Sequence, residues 1–206
     1  ASGEVPAGPV VHAPVAKLPV GQAMGMAMRG VRAVVELDGV GDLWRAMMHV
    51  KNELATVRYR SAGAFACPLV LRVPVAGGGE GETTFAKVPG LRVVAPSRLE
   101  DARGLMATAL RCGDPVIFFE PRGLFPDGWA GEVEADRPGL SFGRARVVRP
   151  GADVTLVTWG LTVPVAEEAA KRLAGEGLGV EVLDLRTLAP WDAEGVAASV
   201  ARTGRL

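Results

Sequence analysis

Short runs of aliphatic and β-branched residues alternate along this chain with longer stretches whose apolar positions recur every third or fourth residue. The runs at 31–37, 68–75, 91–95, 116–120, 154–159 and 180–185 read as strands. Between residues 43 and 60, Leu43, Met47, Val50, Leu54 and Val57 fall at i, i+4, i+7, i+11 and i+14, the stripe of one amphipathic helix. Asp42, just before that stripe, has the chemistry of its N-cap. Ser97 with Glu100 reads as a capping box opening a helix that runs to Arg111, and Asp114-Pro115 then breaks it. Two more helical patterns follow at 162–173 and 193–202, the second with Asp192 as N-cap. Strands alternating with helices imply the α/β class, with parallel sheets covered on both faces.

Periodicity weakens between Pro121 and Pro150, where Pro, Gly and Asp supply turn chemistry. The expected organisation is an α/β domain over 1–120, a linker over 121–152 and a second α/β unit over 153–206. That unit offers two strands and two helices, too few for a sheet that stands by itself, so it is expected to be partial or completed by a partner.

Composition narrows the partners. Twenty-three basic residues balance 23 acidic ones in 206 residues, which argues against nucleic acid or an anionic membrane surface. With 27 glycines, 15 prolines and 49% hydrophobic residues, this is a folding sequence and not a low-complexity one. Cys67 and Cys112 form no disulfide framework, and with His12 and His49 they lack zinc-ligand spacing. The two thiols read as small buried hydrophobes, the histidines as structural, and Trp44, Trp129, Trp159 and Trp191 as core or interface anchors. The uncharged stretch at 18–28 is too short for a membrane span. The start has neither an initiator Met nor a signal-peptide pattern, so a trimmed, cytoplasmic chain is expected.

Several motifs occur in one order: Gly25-Met26-Ala27-Met28-Arg29-Gly30, Asn52-Glu53 through Arg58-Tyr59-Arg60-Ser61, Pro68-Leu69-Val70 through Arg72, and Pro89-Gly90-Leu91. The stretches at 116–121, 154–158 and 184–190 (Asp-Leu-Arg-Thr-Leu-Ala-Pro) continue them. In these the chain resembles the β subunit of thiamine-diphosphate-dependent 2-oxoacid dehydrogenases, the pyruvate and branched-chain decarboxylase components, within the transketolase-like superfamily. The resemblance implies a pyrimidine-binding domain followed by a partial transketolase C-terminal domain. It implies an α₂β₂ assembly in which an α-like subunit grips the diphosphate through Mg²⁺ and this chain, with a second β copy, holds the aminopyrimidine. An acyltransferase core or carrier protein is a further implied partner. The cofactor's thiazolium ylid would attack a 2-oxo acid, leading to decarboxylation and acyl transfer.

Carried over by position, the usual site changes chemistry. The family's pyrimidine glutamate falls at Ala16, counting back from Gly21, or at Lys17 if Pro14 to Lys17 is matched directly. Neither side chain does the work of a carboxylate there. The aromatic that faces the pyrimidine falls at Asp42. The loop that carries a catalytic histidine is shortened to the glycine run 77–81, centred on Gly79. A structural potassium site in some members falls at Ala109, Cys112 and Asp114. These departures leave three readings open: an enzyme subunit with altered or partner-supplied acid–base groups, a degenerate structural or regulatory β-like subunit, and a carboligase or acyl-transfer enzyme of specialised metabolism. A sequence from which segments were removed would show the same losses.

The other features read blandly. The glycine run has no following Lys-Ser/Thr, so it reads as a hinge and not a phosphate cradle. Gly21 and Gly25, four apart, read as a close helix contact at a subunit or domain interface. Asp184 and Arg186 read as a charged pair bridging an interface.

Overall fold

The computed structural model describes residues 17–76, 81–122 and 139–206. Its first sheet has the order β1 (Ala33–Glu36), β2 (Leu69–Val75), β4 (Val116–Pro121), β3 (Arg92–Val94) and β8 (Thr187–Ala189). The first four are parallel, and β8 joins β3 antiparallel. A second sheet has the order β5 (Arg146–Arg149), β7 (Val180–Asp184) and β6 (Val154–Thr158), with β6 parallel and β5 antiparallel to β7.

The centre of the first sheet is apolar on both faces, as a covered parallel sheet requires. Leu69, Leu71, Val73 and Val75 of β2, with Ile117 and Phe119 of β4, face a core shared with Val20, Ala23 and Ala27 of α1 (Lys17–Met28). Val70, Val116 and Phe118 face the other way, against Ala102, Leu105 and Ala109 of α5 (Leu99–Arg111). In the second unit Ala166 and Ala170 of α6 (Thr162–Gly175) pack on Val180 and Val182.

Three local expectations are corrected. Residues 43–60 do not form one helix: α2 (Val40–Arg45), a π-helical segment (His49–Leu54) and α3 (Val57–Arg60) succeed one another. The widened turn appears as the Ala55 N–H donating to the Val50 carbonyl, five residues back, at 3.0 Å. The apolar stripe survives, because Leu43, Val50 and Leu54 remain buried. Asp42 is not an N-cap but sits in the first turn of α2, after Gly39 in the capping position, and its carboxylate accepts the Asp38 N–H at 3.3 Å. The capping box is also absent: Arg98 precedes α5 without a side-chain cap, and the Ser97 hydroxyl donates to Asp184 instead. A fully buried carboxylate outcompetes the helix's own amides for that hydroxyl.

Strand β5 lies inside the stretch expected as linker, and the second unit has three strands, not two. Strand β8 crosses to the first sheet, so the two units are joined by main chain as well as side chains. Arg186 reaches Asp101 of α5 at 3.2 Å, and so does Arg146. The salt bridge expected of this pair is made by Arg186 alone, with Asp101; Asp184 accepts a hydrogen bond from Ser97, and among the described residues it forms no ion pair.

Asp192 caps α7 (Ala193–Thr203) as its position implies, accepting the N–H groups of Gly195 at 2.9 Å and Ala145 at 2.8 Å. Burial alone would raise its pKa; those two amides, with Arg144 and Arg186, outweigh it and hold the carboxyl below its ordinary value. Asp192→Ala is expected to cost about 1–2 kcal/mol, measured as a lowered urea midpoint at unchanged m-value.

Candidate functional site

The parallel strands β1, β2 and β4 finish on one edge, the edge at which open α/β sheets present ligand sites. Helix α1 packs against β1 and β2 and returns through the turn at Gly30 to the start of β1, so its first residue, Lys17, is placed toward this same edge. Ala16 and Gly79 lie outside the described residues, as do Trp129 and His12.

Asp42 is at the edge, but its carboxylate is occupied. One oxygen takes the Asp38 amide and the other accepts from Arg45 at 2.6 Å. Nearby, Arg122 donates to the Asp38 carbonyl at 3.0 Å, tying the end of β4 to the loop after β1. Trp44 and Phe85 of α4 (Glu82–Ala86) meet with ring centroids 5.5 Å apart.

Beneath this edge lies an ion-pair network across three strands. Arg72 donates through Nε and Nη2 to both oxygens of Glu120, at 2.8–3.1 Å, and through Nη1 to Glu36 at 3.4 Å. Glu120 is buried, whereas Glu36 is exposed. The fork fixes the relative heights of β1, β2 and β4 where the sheet ends.

Glu82 was not singled out by sequence reasoning. It opens α4 directly after Gly81, is 3% exposed, and its Oε2 has no hydrogen-bond partner among the described residues. A Cβ on Gly81 would meet Val40 at 3.3 Å and lie close to Phe85 and Phe119, which places this start of α4 beside the start of α2. The only signal in the sequence was an acidic residue flanking the glycine run.

The structure brings Ala109, Cys112 and Asp114 together at the end of α5, but their acceptors are engaged. Arg58 and Arg92 hold the Asp114 carboxylate at 2.8 and 2.7 Å, Arg32 donates to the Cys112 carbonyl at 2.7 Å, and the Ala109 carbonyl takes the Cys112 N–H. Two arginines thus hold the Asp114 carboxylate and a third the Cys112 carbonyl. No group of His, Cys, Asp and Glu among the described residues has the arrangement of a metal site.

The two thiols differ. Cys67 is buried, and that burial pushes its pKa up to about 11, so it is an inert apolar wall; Cys112 is half-buried against the α5 core. Among the described residues no helix is long and apolar enough to cross a membrane.

Comparison with known proteins bears on the fold and the family. Residues 10–127 match the model of the transketolase pyrimidine-binding domain, and 143–206 match the transketolase C-terminal domain. The chain is 39% identical to the pyruvate dehydrogenase E1 component subunit beta of Acholeplasma laidlawii, over 90% of this chain and 59% of that protein. It is 38% identical to the 2-oxoisovalerate dehydrogenase subunit beta of Bacillus subtilis, over 96% of this chain and 63% of that one. Among solved structures, a split-gene transketolase described as an inactive β4 tetramer superposes with a TM-score of 0.77 at 25% identity, covering 92% of this chain and 61% of its own. The chain thus spans about three fifths of the length of these relatives.

Proposed function

This chain belongs to the transketolase pyrimidine-binding family, with a transketolase C-terminal domain following, and we propose that it is the β-like subunit of a thiamine-diphosphate-dependent 2-oxoacid dehydrogenase or decarboxylase. Its partner is an α-like subunit that carries Mg²⁺ and the diphosphate, in an α₂β₂ assembly located in the cytoplasm. The single observation that carries this reading is the match of both domains, in order, to β subunits of such dehydrogenases over at least 90% of the chain.

When bound, the cofactor supplies a thiazolium ylid that serves as nucleophile and electron sink. The described edge fits its pyrimidine in one respect. Ala16 and Lys17 bring no carboxylate and Asp42 is engaged, but Glu82 stands at the same edge with an oxygen lacking a partner among the described residues. Among the described residues Glu82 is the one suited to hold a proton at the pyrimidine ring, with the start of α2 forming the adjacent wall.

Two features favour a site shared between chains. Gly21 and Gly25 are exposed on α1, and a Cβ on either would meet nothing within 4 Å, so the close helix contact they permit is not made among the described residues. A second β copy is the partner that this face suits. The related split-gene chain, inactive as a β4 tetramer, supports a site that β-type chains do not complete by themselves.

Calorimetry of thiamine diphosphate with Mg²⁺ tests the reading, on the full-length gene product with and without its α partner. Binding only with the partner, one cofactor per αβ pair, is the expected result. A stable complex that binds no cofactor would leave the second reading, a structural or regulatory subunit, which the occupied Asp42 and the loss of a carboxylate at Ala16 or Lys17 favour. Glu82→Gln in the complex is expected to weaken cofactor binding about tenfold, the worth of one charge-assisted hydrogen bond. The same substitution is expected to leave the isolated chain's melting temperature unchanged or slightly raised, since Oε2 has no hydrogen bond among the described residues to lose.

A further inference from the structure

The geometry points to a second ligand site, on the opposite edge of the first sheet, that takes a short aliphatic carboxylate. A cavity of about 450 Å³ lies where β2, β3 and β4 begin, walled by Leu54, Ala55, Val57, Cys67, Pro89 and Pro115. Its volume is within the range of small-molecule sites, and its walls are mainly apolar. With its thiol kept neutral by burial, Cys67 adds no charge to them.

Charge gathers on one side of this cavity. Asp114 is the carboxylate there, and it receives two guanidiniums, Arg58 through Oδ1 and Arg92 through Oδ2. A third guanidinium, Arg32, is held by the neutral Cys112 carbonyl at the C-terminal end of α5. Glu53 and Arg60 pair with each other and add no net charge. Three positive groups against one negative group leave two unbalanced charges. Burial by itself would raise the Asp114 carboxyl, but Arg92 and Arg58 hold it below its ordinary pKa, as this field requires.

Arg58 and Asp114 both line the cavity. Arg58 commits only Nη1 to Asp114; its Nε and Nη2 have no partner among the described residues, and its side chain is 60% exposed at the rim. An apolar chamber with a guanidinium fork at its mouth matches an anion with a hydrocarbon tail. A second carboxylate docking on Arg58 beside Asp114 would offset the surplus charge, whereas a monovalent cation would add to it. The helix end where the family resemblance places a cation thus has the opposite preference in this chain.

Butyrate is a suitable probe, titrated into the protein in complex with its α partner at constant ionic strength, with butyramide as the neutral isostere and KCl as the cation. Saturable binding of butyrate is expected, with amide resonances of Cys67 and Gly113 shifting, and butyramide binding at least about tenfold more weakly. Arg58→Met should weaken butyrate binding about tenfold, while Arg58→Lys, which keeps the charge and loses the fork, should fall between Arg58→Met and wild type; melting temperatures equal to that of the wild type show that the fold is intact. The proposal is overturned by equal affinity for butyrate and butyramide, by Arg58→Met binding as the wild type does, by the absence of saturable butyrate binding, or by potassium perturbing the same resonances in a saturable way.

Discussion

Replacing Arg72 by methionine is expected to destabilise the fold by about 3 kcal/mol, the low end of the cost of breaking a buried ion pair. The pair is close to that limit on one side: Glu120 is 8% exposed and accepts both arms of the guanidinium fork. Arg72 itself keeps about a third of its side chain in contact with solvent, and its other partner, Glu36, is exposed, so the cost does not reach the top of the range. Removing the arginine leaves a buried carboxylate at the end of β4 without its ion-pair partner. The paired substitution Arg72→Met with Glu120→Met should recover most of the loss, because two apolar groups replace two charges. Urea denaturation of the four species closes the cycle. A single mutant within about 0.5 kcal/mol of wild type would show that the fork is only a surface pair.

Much of this architecture was legible in the sequence because it rests on local rules. The four parallel strands of the first sheet read correctly, since apolar runs such as 69–71 and 116–119 belong in a sheet covered on both faces. Asp192 read correctly because the amide it caps, that of Gly195, is three residues on in its own helix. Ser97 misread because its partner is 87 residues away: nothing near it in sequence announces the buried carboxylate of Asp184. The π-helical segment escaped for a related reason, since a seven-residue step from Leu43 to Val50 and a four-residue step to Leu54 suit an α-helix equally well. Strands β5 and β8 are four and three residues long, and each exists only through a strand distant in sequence. At the candidate site the pattern of losses at Ala16, Lys17 and Asp42 was visible. The buried carboxylate of Glu82 was not, because burial of a charge is a property of what packs over it.

Asp184 should make the junction between the two units weaken as pH rises from about 4 to about 7. The carboxylate is fully buried where β7 meets α5, and its pKa is pushed up to about 6. Burial is the main cause and the nearby Asp101 adds to it, while the Ser97 hydroxyl, the Arg186 amide and the Arg186 charge act in the other direction. The other charged groups at this junction are paired, Arg146 with Asp101 and Arg98 with Glu167. The sign follows from proton uptake. In the unfolded chain an aspartate has lost its proton above pH 4, whereas folded Asp184 holds its proton until about pH 6. Across that window the folded state binds more protons, so stability falls with rising pH. The contribution is fully present below about pH 4 and is lost through pH 6; the rise from about 4 to about 6 corresponds to about 3 kcal/mol. Asp114 and Asp192 are held below their ordinary values, so their contributions are fully present above about pH 4 and are lost only as pH falls further, outside this window. Asp184→Asn should flatten the profile between pH 4 and 7 and stabilise the protein at pH 7, since an amide can still accept from the Arg186 N–H and donate to Ser97. Urea midpoints for both proteins across pH 4–8 decide the matter, and parallel curves would mean that Asp184 is ionised throughout.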